Sequence, residues 1–334
     1  MPFELIPPDT KIDFIGRGKL CASLSALLIL ISLAMIPVRG IRLGVDFAGG
    51  TEMQVRFEPG VHADEGLIRA VLAESAVVDD PSVVRFGEAS SREFLVKFKG
   101  GEEVDEAVAG ESGDEIAGGK NATASIDRVE LVETSLAEGI GALSVERVDF
   151  VGPRVGAELR SDGLWALFWA SLAILVYVTI RSSSRFAPGA VVAVFHDLLV
   201  TSGIFVILGL EFDLRVLAAL LAIIGYSLND TIIIYDRIRE NMELRTKAAL
   251  PDVLNESVNQ TLSRTVLTSG TTLVALLCLY FLGGEVIRPF AFAMLIGVVV
   301  GTYSSIYIAA PLLLLLEGDT SQNASSGRKA IGVR

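Results

Sequence analysis

The chain has 334 residues, of which 51% are hydrophobic, with a mean hydropathy of +0.55 and a net charge of −12. That is more apolar residue than a water-soluble domain of this size buries, so a membrane protein is indicated. The acid is concentrated between Asp64 and Glu158, apart from the Lys and Arg clusters, which describes two environments and offers no basic surface for nucleic acid.

In chain order, residues 1–19 carry Lys11, Arg17 and Lys19 and precede an apolar run at 20–36. The run exceeds the ~7–15 residues of a signal-peptide core, so a retained transmembrane helix is expected in place of a cleaved signal. Residues 41–160 then form a domain outside the cytoplasm. Residues 51–57 alternate as a strand, and Leu67, Val71 and Leu72 set a helix over 62–76. Residues 82–86 and 93–98 read as two more strands, with a turn near 87–91. Residues 100–123 are rich in Gly, Glu and Asp, and a mobile insertion is expected there. A helix over 127–143 and a strand over 145–151 complete βαββαβ, the order of the ferredoxin-like fold.

Five further apolar stretches follow at 163–180, 188–210, 216–235, 264–282 and 289–316, the last with Pro311 as a source of tilt or kink. Each is near the ~20 residues a helix needs to cross ~30 Å of hydrocarbon. Between 236 and 263 lies a cytoplasmic loop. In it Pro251 suits a helix start, and Leu254, Val258 and Leu262 predict a short amphipathic helix on the membrane surface or against the bundle. The tail is 317–334. The fold class is therefore a polytopic α-helical membrane protein of six transmembrane helices, with one α+β ferredoxin-like extracytoplasmic domain between the first two.

Basic residues set the orientation. Lys11, Arg17 and Lys19, then Arg181 and Arg185, then Arg237, Arg239, Arg245 and Lys247, and finally Arg328 and Lys329 all fall on one side of six alternating crossings. Both termini are thus expected in the cytoplasm. Arg39 and Arg42 run against this pattern.

The strongest functional candidate is Asp230, set within an apolar helix, since an ionisable side chain at hydrocarbon depth costs several kcal/mol and marks an ion pathway or a paired site. Arg264, which opens the next span, is its expected partner. A carboxylate alternating between proton and arginine suits a proton-driven machine; the plainer reading is a static ion pair that fixes helix register. Ser227, Asn229, Thr265, Thr268, Ser269, Thr271 and Thr272 make the surroundings polar, which favours the first. His196 and Asp197 share the third span and either extend a proton relay or bond neighbouring helices; the residues alone leave both open.

Other features read as structural. Gly49 and Gly50 precede a strand where a phosphate loop would open a helix, so they form a turn. Gly297 and Gly301 permit close helix packing. Asn121-Ala122-Thr123 is a chance glycosylation sequon. Two cysteines, both in apolar runs, imply no disulfide framework, and two histidines are too few for a His-rich metal site. With no nucleophile–base pair, metal cluster or nucleotide loop in view, no enzyme and no cofactor is expected.

DFAGGTEMQV, VGPRVGAEL, AVFHDLLVT, LAIIGYSLNDTIIIYDRIREN, TLSRTVLTSGTT and FAMLIGVVVGTYSSIYIAAPL occur in this order across the six spans. In these motifs the chain resembles the SecF members of the SecD/SecF family, within the RND superfamily; the outer domain matches mainly at its edges. The resemblance implies a bacterial inner-membrane subunit that pairs with SecD as a separate chain. It would act with the SecYEG channel, with YajC and YidC as further partners, on unfolded preproteins in the lipid bilayer, and residues 41–160 would be periplasmic. It implies use of the proton-motive force as energy source for late steps of translocation, with Asp230 of GYSLND and Arg264 of TLSRT on the proton pathway. Rival readings are half of an RND-type proton-coupled exporter of small molecules or lipids, and a scaffold subunit that moves no protons.

Overall fold

The computed structural model describes residues 7, 10–75, 77–78, 81–87, 91–99, 114–182 and 185–315, with backbone alone at 114–126 and 182. Helix α1 (Gly18–Arg39) leads to a one-turn helix α2 (Val45–Ala48) and strand β1 (Gly50–Phe57). Helix α3 (Glu65–Ser75), β2 (Ser82–Phe86), β3 (Glu93–Phe98), α4 (Asp114–Gly139) and β4 (Leu143–Val151) complete the outer domain. The sheet is antiparallel throughout in the order β2-β3-β1-β4, the ferredoxin-like arrangement.

Strand alternation decides which face is covered. Met53, Val55 and Phe57 of β1 and Phe94, Val96 and Phe98 of β3 pack against Ile68 and Leu72 of α3 and Val132 and Leu136 of α4. Each fully buried side chain of this kind contributes ~1.5–3 kcal/mol. The other face, with Leu95 and Lys97, looks toward the membrane helices. Helix α4 begins at Asp114, so the expected insertion over 100–123 is corrected in its later part: a Gly- and Glu-rich composition concealed a helical start. Residues 100–113 lie outside the described residues.

The glycine pair is required by space and by backbone. Gly49 has φ +77° and Gly50 φ +149°. A Cβ on Gly49 would stand 2.8 Å from Pro153 Cα, and one on Gly50 2.5 Å from the Phe98 carbonyl oxygen. The turn therefore presses the end of α2 onto the first turn of the helix that begins at Pro153. Asp46 in the same turn accepts from the Leu214 N–H at 3.1 Å, and Phe212 donates to the Arg42 carbonyl at 2.8 Å.

The remaining helices are α5 (Pro153–Ser182), α6 (Ala187–Leu208), α7 (Leu214–Leu244), α8 (Leu250–Leu282) and α9 (Arg288–Ser304); α9 passes into a π turn (Ser305–Ala309) and runs helical to Leu315. Among the described residues six helices, α1 and α5 to α9, are long and apolar enough to cross a membrane. About half of the apolar stretch of α6, α7 and α9 is buried (50%, 50% and 44%), against 11%, 11% and 17% for α1, α5 and α8, so the first three form the centre. The π turn precedes Pro311, which has no N–H to offer the preceding turn; the expected irregularity sits just ahead of the proline.

Small residues set the close approaches. A Cβ on Gly297 of α9 would lie 2.2 Å from Ile223 of α7, and one on Gly203 of α6 within 2.2 Å of the Ser32 side chain of α1.

The amphipathic helix expected within 236–263 forms, in the placement against the bundle, but it is continuous with the next span and not a short element of its own. Helix α7 continues to Leu244, and residues 250–263 are the opening of α8 itself. Leu254, Val258 and Leu262 are buried against the bundle. The polar residues of this opening hold the N-terminal segment: Asn255 accepts from the Phe14 and Ile15 N–H groups and donates to Asp13, while Asn259 bonds both backbone groups of Ile12.

Candidate functional site

Helical phase decides which polar residues meet inside the bundle. At ~100° per residue, positions i, i+3, i+4 and i+7 share a face. On α7 this brings Ser227, Asp230, Thr231 and Ile234 inward, all buried. On α9 and its π turn, Gly297, Gly301, Ser304 and Ser305 do the same. On α6, His196 and Asp197 are buried at 2% and 0% exposure. Two carboxylates, Asp197 and Asp230, therefore stand inside one bundle.

Asp197 is well supplied with donors. Its Oδ2 accepts from Ser227 Oγ at 2.5 Å and Ser304 Oγ at 2.9 Å, and its Oδ1 lies 2.9 Å from His196 Nδ1. Gly301 leaves the room: a Cβ there would sit 3.4 Å from Asp197 Oδ2. Thr231 and Ser305 add a hydroxyl pair at 2.8 Å, and Ser305 reaches the Ser227 carbonyl. His196 Nε2 has no protein partner among the described residues.

Asp230 is poorly supplied. At 1% exposure, its Oδ2 accepts from Ser269 Oγ of α8 at 3.2 Å, while Oδ1 is unpartnered among the described residues. Ser269 in turn pairs with Thr302 of α9 at 2.8 Å. The buried Thr265 hydroxyl, one turn before Ser269, is also unpartnered there.

The expected Asp230–Arg264 ion pair is not formed among the described residues, and this is a correction. Arg264 precedes Ser269 by five positions, about 140° around α8, so it is exposed on another face while Ser269 and Thr265 face the carboxylate. Arg264 remains near enough to act on Asp230 electrostatically. Asn229 is likewise exposed, one position out of phase with Asp230. Thr268 is half-buried and bonds the carbonyls of its own helix at Arg264 and Thr265. Ser227 and His196 both bond Asp197, a meeting the sequence left open. The sequence reading missed Thr231, Thr302, Ser304 and Ser305. The signal was available, since Ser304 and Ser305 continue the small-residue face of Gly297 and Gly301.

The model for the C-terminal part of the protein export membrane proteins SecD/SecF matches residues 132–319, and that for the SecD/SecF GG motif matches residues 34–61, which contain the Gly49–Gly50 turn. The protein translocase subunit SecF of Calditerrivibrio nitroreducens is 40% identical over 319 residues, covering 94% of this chain and 97% of its own. That of Escherichia coli O157:H7 is 38% identical over 304 residues, covering 91% and 87%. The crystal structure of SecDF, a translocon-associated membrane protein from Thermus thermophilus, is similar with a TM-score of 0.76 at 34% identity; the match covers 94% of this chain but 40% of that one. SecDF in a super-membrane-facing form gives 0.69 at 33% identity. The six apolar helices, the antiparallel outer sheet, the glycine turn and these matches together place the chain in the SecD/SecF family of protein export membrane proteins.

Proposed function

We propose that this chain is a SecF-type translocase subunit that couples proton movement at Asp230 to late steps of protein export. The observation that carries the reading is the state of Asp230: buried, accepting from Ser269 with the Thr302 hydroxyl close by, and with Oδ1 unpartnered among the described residues. An ionised carboxylate in that setting is costly unless a proton or an approaching cation balances its charge. Arg264 supplies the cation. It lies within electrostatic reach but outside ion-pair contact, so a shift of α8 would exchange proton for arginine.

One charge crossing ~100 mV supplies about 2.3 kcal/mol, enough to change a two-state population ratio roughly fiftyfold. That bias suits a cycle in which the outer domain rectifies the passage of an emerging chain. In this reading the chain sits in a bacterial inner membrane with both termini cytoplasmic and residues 41–160 periplasmic. It pairs with SecD as a separate polypeptide and acts beside SecYEG, with YajC and YidC as accessory partners. The match to the SecDF structure covers 40% of that molecule.

The second reading, a scaffold without proton coupling, is favoured by the fully bonded Asp197. Precursor export in sealed inner-membrane vesicles at constant ATP separates the two. With Asp230→Asn, the gradient-dependent part of export should vanish while the complex still assembles. Normal gradient-dependent export by that variant would leave the scaffold.

A further inference from the structure

Between the outer sheet and the bundle lies a cleft of about 590 Å³. Phe205 and Leu208 of α6, Tyr280 of α8 and Phe292 of α9 line it from the membrane side. Val84 and Leu95, on the sheet face that no helix covers, line it from the other side. The cleft is thus at the level where α6 and α8 end and α9 begins, which is the headgroup region of a bilayer.

Most of its charges are already matched. Arg85 pairs with Glu65, Lys97 with Glu52 and Glu211, Arg215 with Asp213, and Arg288 with Glu285. Arg42 differs. It lines the cleft, is exposed, and makes no salt bridge among the described residues; its guanidinium carbon would lie 4.0 Å from a Cβ on Gly209. Arg39, one turn before, bonds the Ile207 carbonyl. These two are the cations that run against the charge bias of the loops, and neither neutralises a carboxylate among the described residues.

We propose that the cleft binds a glycerophospholipid from the leaflet on the outer-domain side. The phosphodiester would sit on Arg42, and the glycerol and upper acyl carbons would lie on Leu208, Tyr280 and Phe292. An unmatched guanidinium above an aromatic and aliphatic floor, at headgroup depth, is the complement of that molecule and of few others. The volume lies within the ~300–1,000 Å³ of small-molecule sites. It accommodates a headgroup and the start of the chains, and the exposed Leu208 marks where the chains leave toward the bilayer.

The test is native mass spectrometry of the full chain in mild detergent with phosphatidylglycerol, phosphatidylethanolamine or diacylglycerol added, and with inorganic phosphate as competitor. Both phospholipids should be retained and diacylglycerol should not. Arg42→Gln should lower retention about fivefold, the effect of one surface cation on lipid binding. Arg42→Lys should restore most of it, and Arg245→Gln at the opposite end should change nothing. Equal retention by Arg42→Gln and the parent chain overturns the proposal. So does displacement by inorganic phosphate at equal concentration, which would make this a free-anion site, or equal binding of diacylglycerol. If Arg42→Gln fails to fold, Leu208→Trp, which fills the floor from an exposed position, must lower retention; unchanged retention again overturns it. Capture of an added extended peptide at the cleft in place of lipid would also refute it.

Discussion

Ser227 donates its hydroxyl to Asp197 at 2.5 Å, joining α7 to α6 in the interior of the bundle. Because Ser304 of α9 reaches the same oxygen, one atom fastens three helices. Asp230, three positions after Ser227 on the same face, has no such arrangement. The two carboxylates are therefore expected to fail differently when altered.

Ser304→Ala should cost roughly 1–3 kcal/mol by leaving the Asp197 oxygen short of a donor. It should lower the melting temperature of the purified chain while gradient-dependent export, scaled to folded protein, persists. A selective loss of the gradient-dependent part would instead move Asp197 onto the proton pathway.

The glycines of α9 should differ in tolerance. Gly297→Val would place carbon within 2.2 Å of Ile223 and force α7 and α9 apart, an overpacking cost of ~1–3 kcal/mol or more. Gly301→Ala meets Ser227 at 3.1 Å and should cost less than half as much. Thermal unfolding of the two variants in one detergent orders them.

At the domain junction, Gly50→Ala combines a backbone angle unsuited to an L side chain with a 2.5 Å approach to the Phe98 carbonyl oxygen. A cost of ~1–3 kcal/mol is expected from the backbone alone. It should appear as faster proteolysis of the outer domain with the bundle still assembled. Gly60→Ala, where nothing lies within 4 Å, supplies a comparison for the backbone part.

The N-terminal segment should release in acid. The Asp13 carboxyl is held below its ordinary value of 3.8, chiefly by the hydrogen bond from Asn255, then by the Gly16 N–H, with the Arg17 charge assisting against slight desolvation. Its folded-state affinity for protons is depressed, so its contribution is complete above the unfolded value and is lost as pH falls through the folded one. Amide protection at Phe14 and Ile15 should therefore hold above about pH 5, begin to drop as pH falls through about 4, and be lost below that. In Asp13→Asn the drop should be absent.

Much of this was legible because it follows from period. Strand 51–57 alternates in sequence and in burial, and the bounds of 82–86 and 93–98 match the structure at both ends. The apolar stretches had the length of membrane helices, and Asp230 and Asp197 stood out because a charge in such a stretch is rare. Relations between helices were less legible. Arg264 is adjacent to Asp230 in membrane depth but about 140° from Ser269 around α8, and depth alone does not reveal phase. The seating of α8 on the N-terminal segment was equally hidden, because the partners of Asn255 and Asn259, at Ile12 to Ile15, lie about 240 positions away. The start of α4 at Asp114 was hidden by composition that favours neither state.

Helix α5 has a mechanical consequence. It begins at Pro153, clamped against Gly49, and runs unbroken for 30 residues to Ser182. That is a rod of ~45 Å at ~1.5 Å per residue. With no hinge along its length, a tilt of ~5° about its inner end moves the outer end by ~4 Å. The outer domain is thus mounted on a lever, and small rearrangements near Arg181 and Asp236, joined at 2.8 Å, arrive at the sheet magnified.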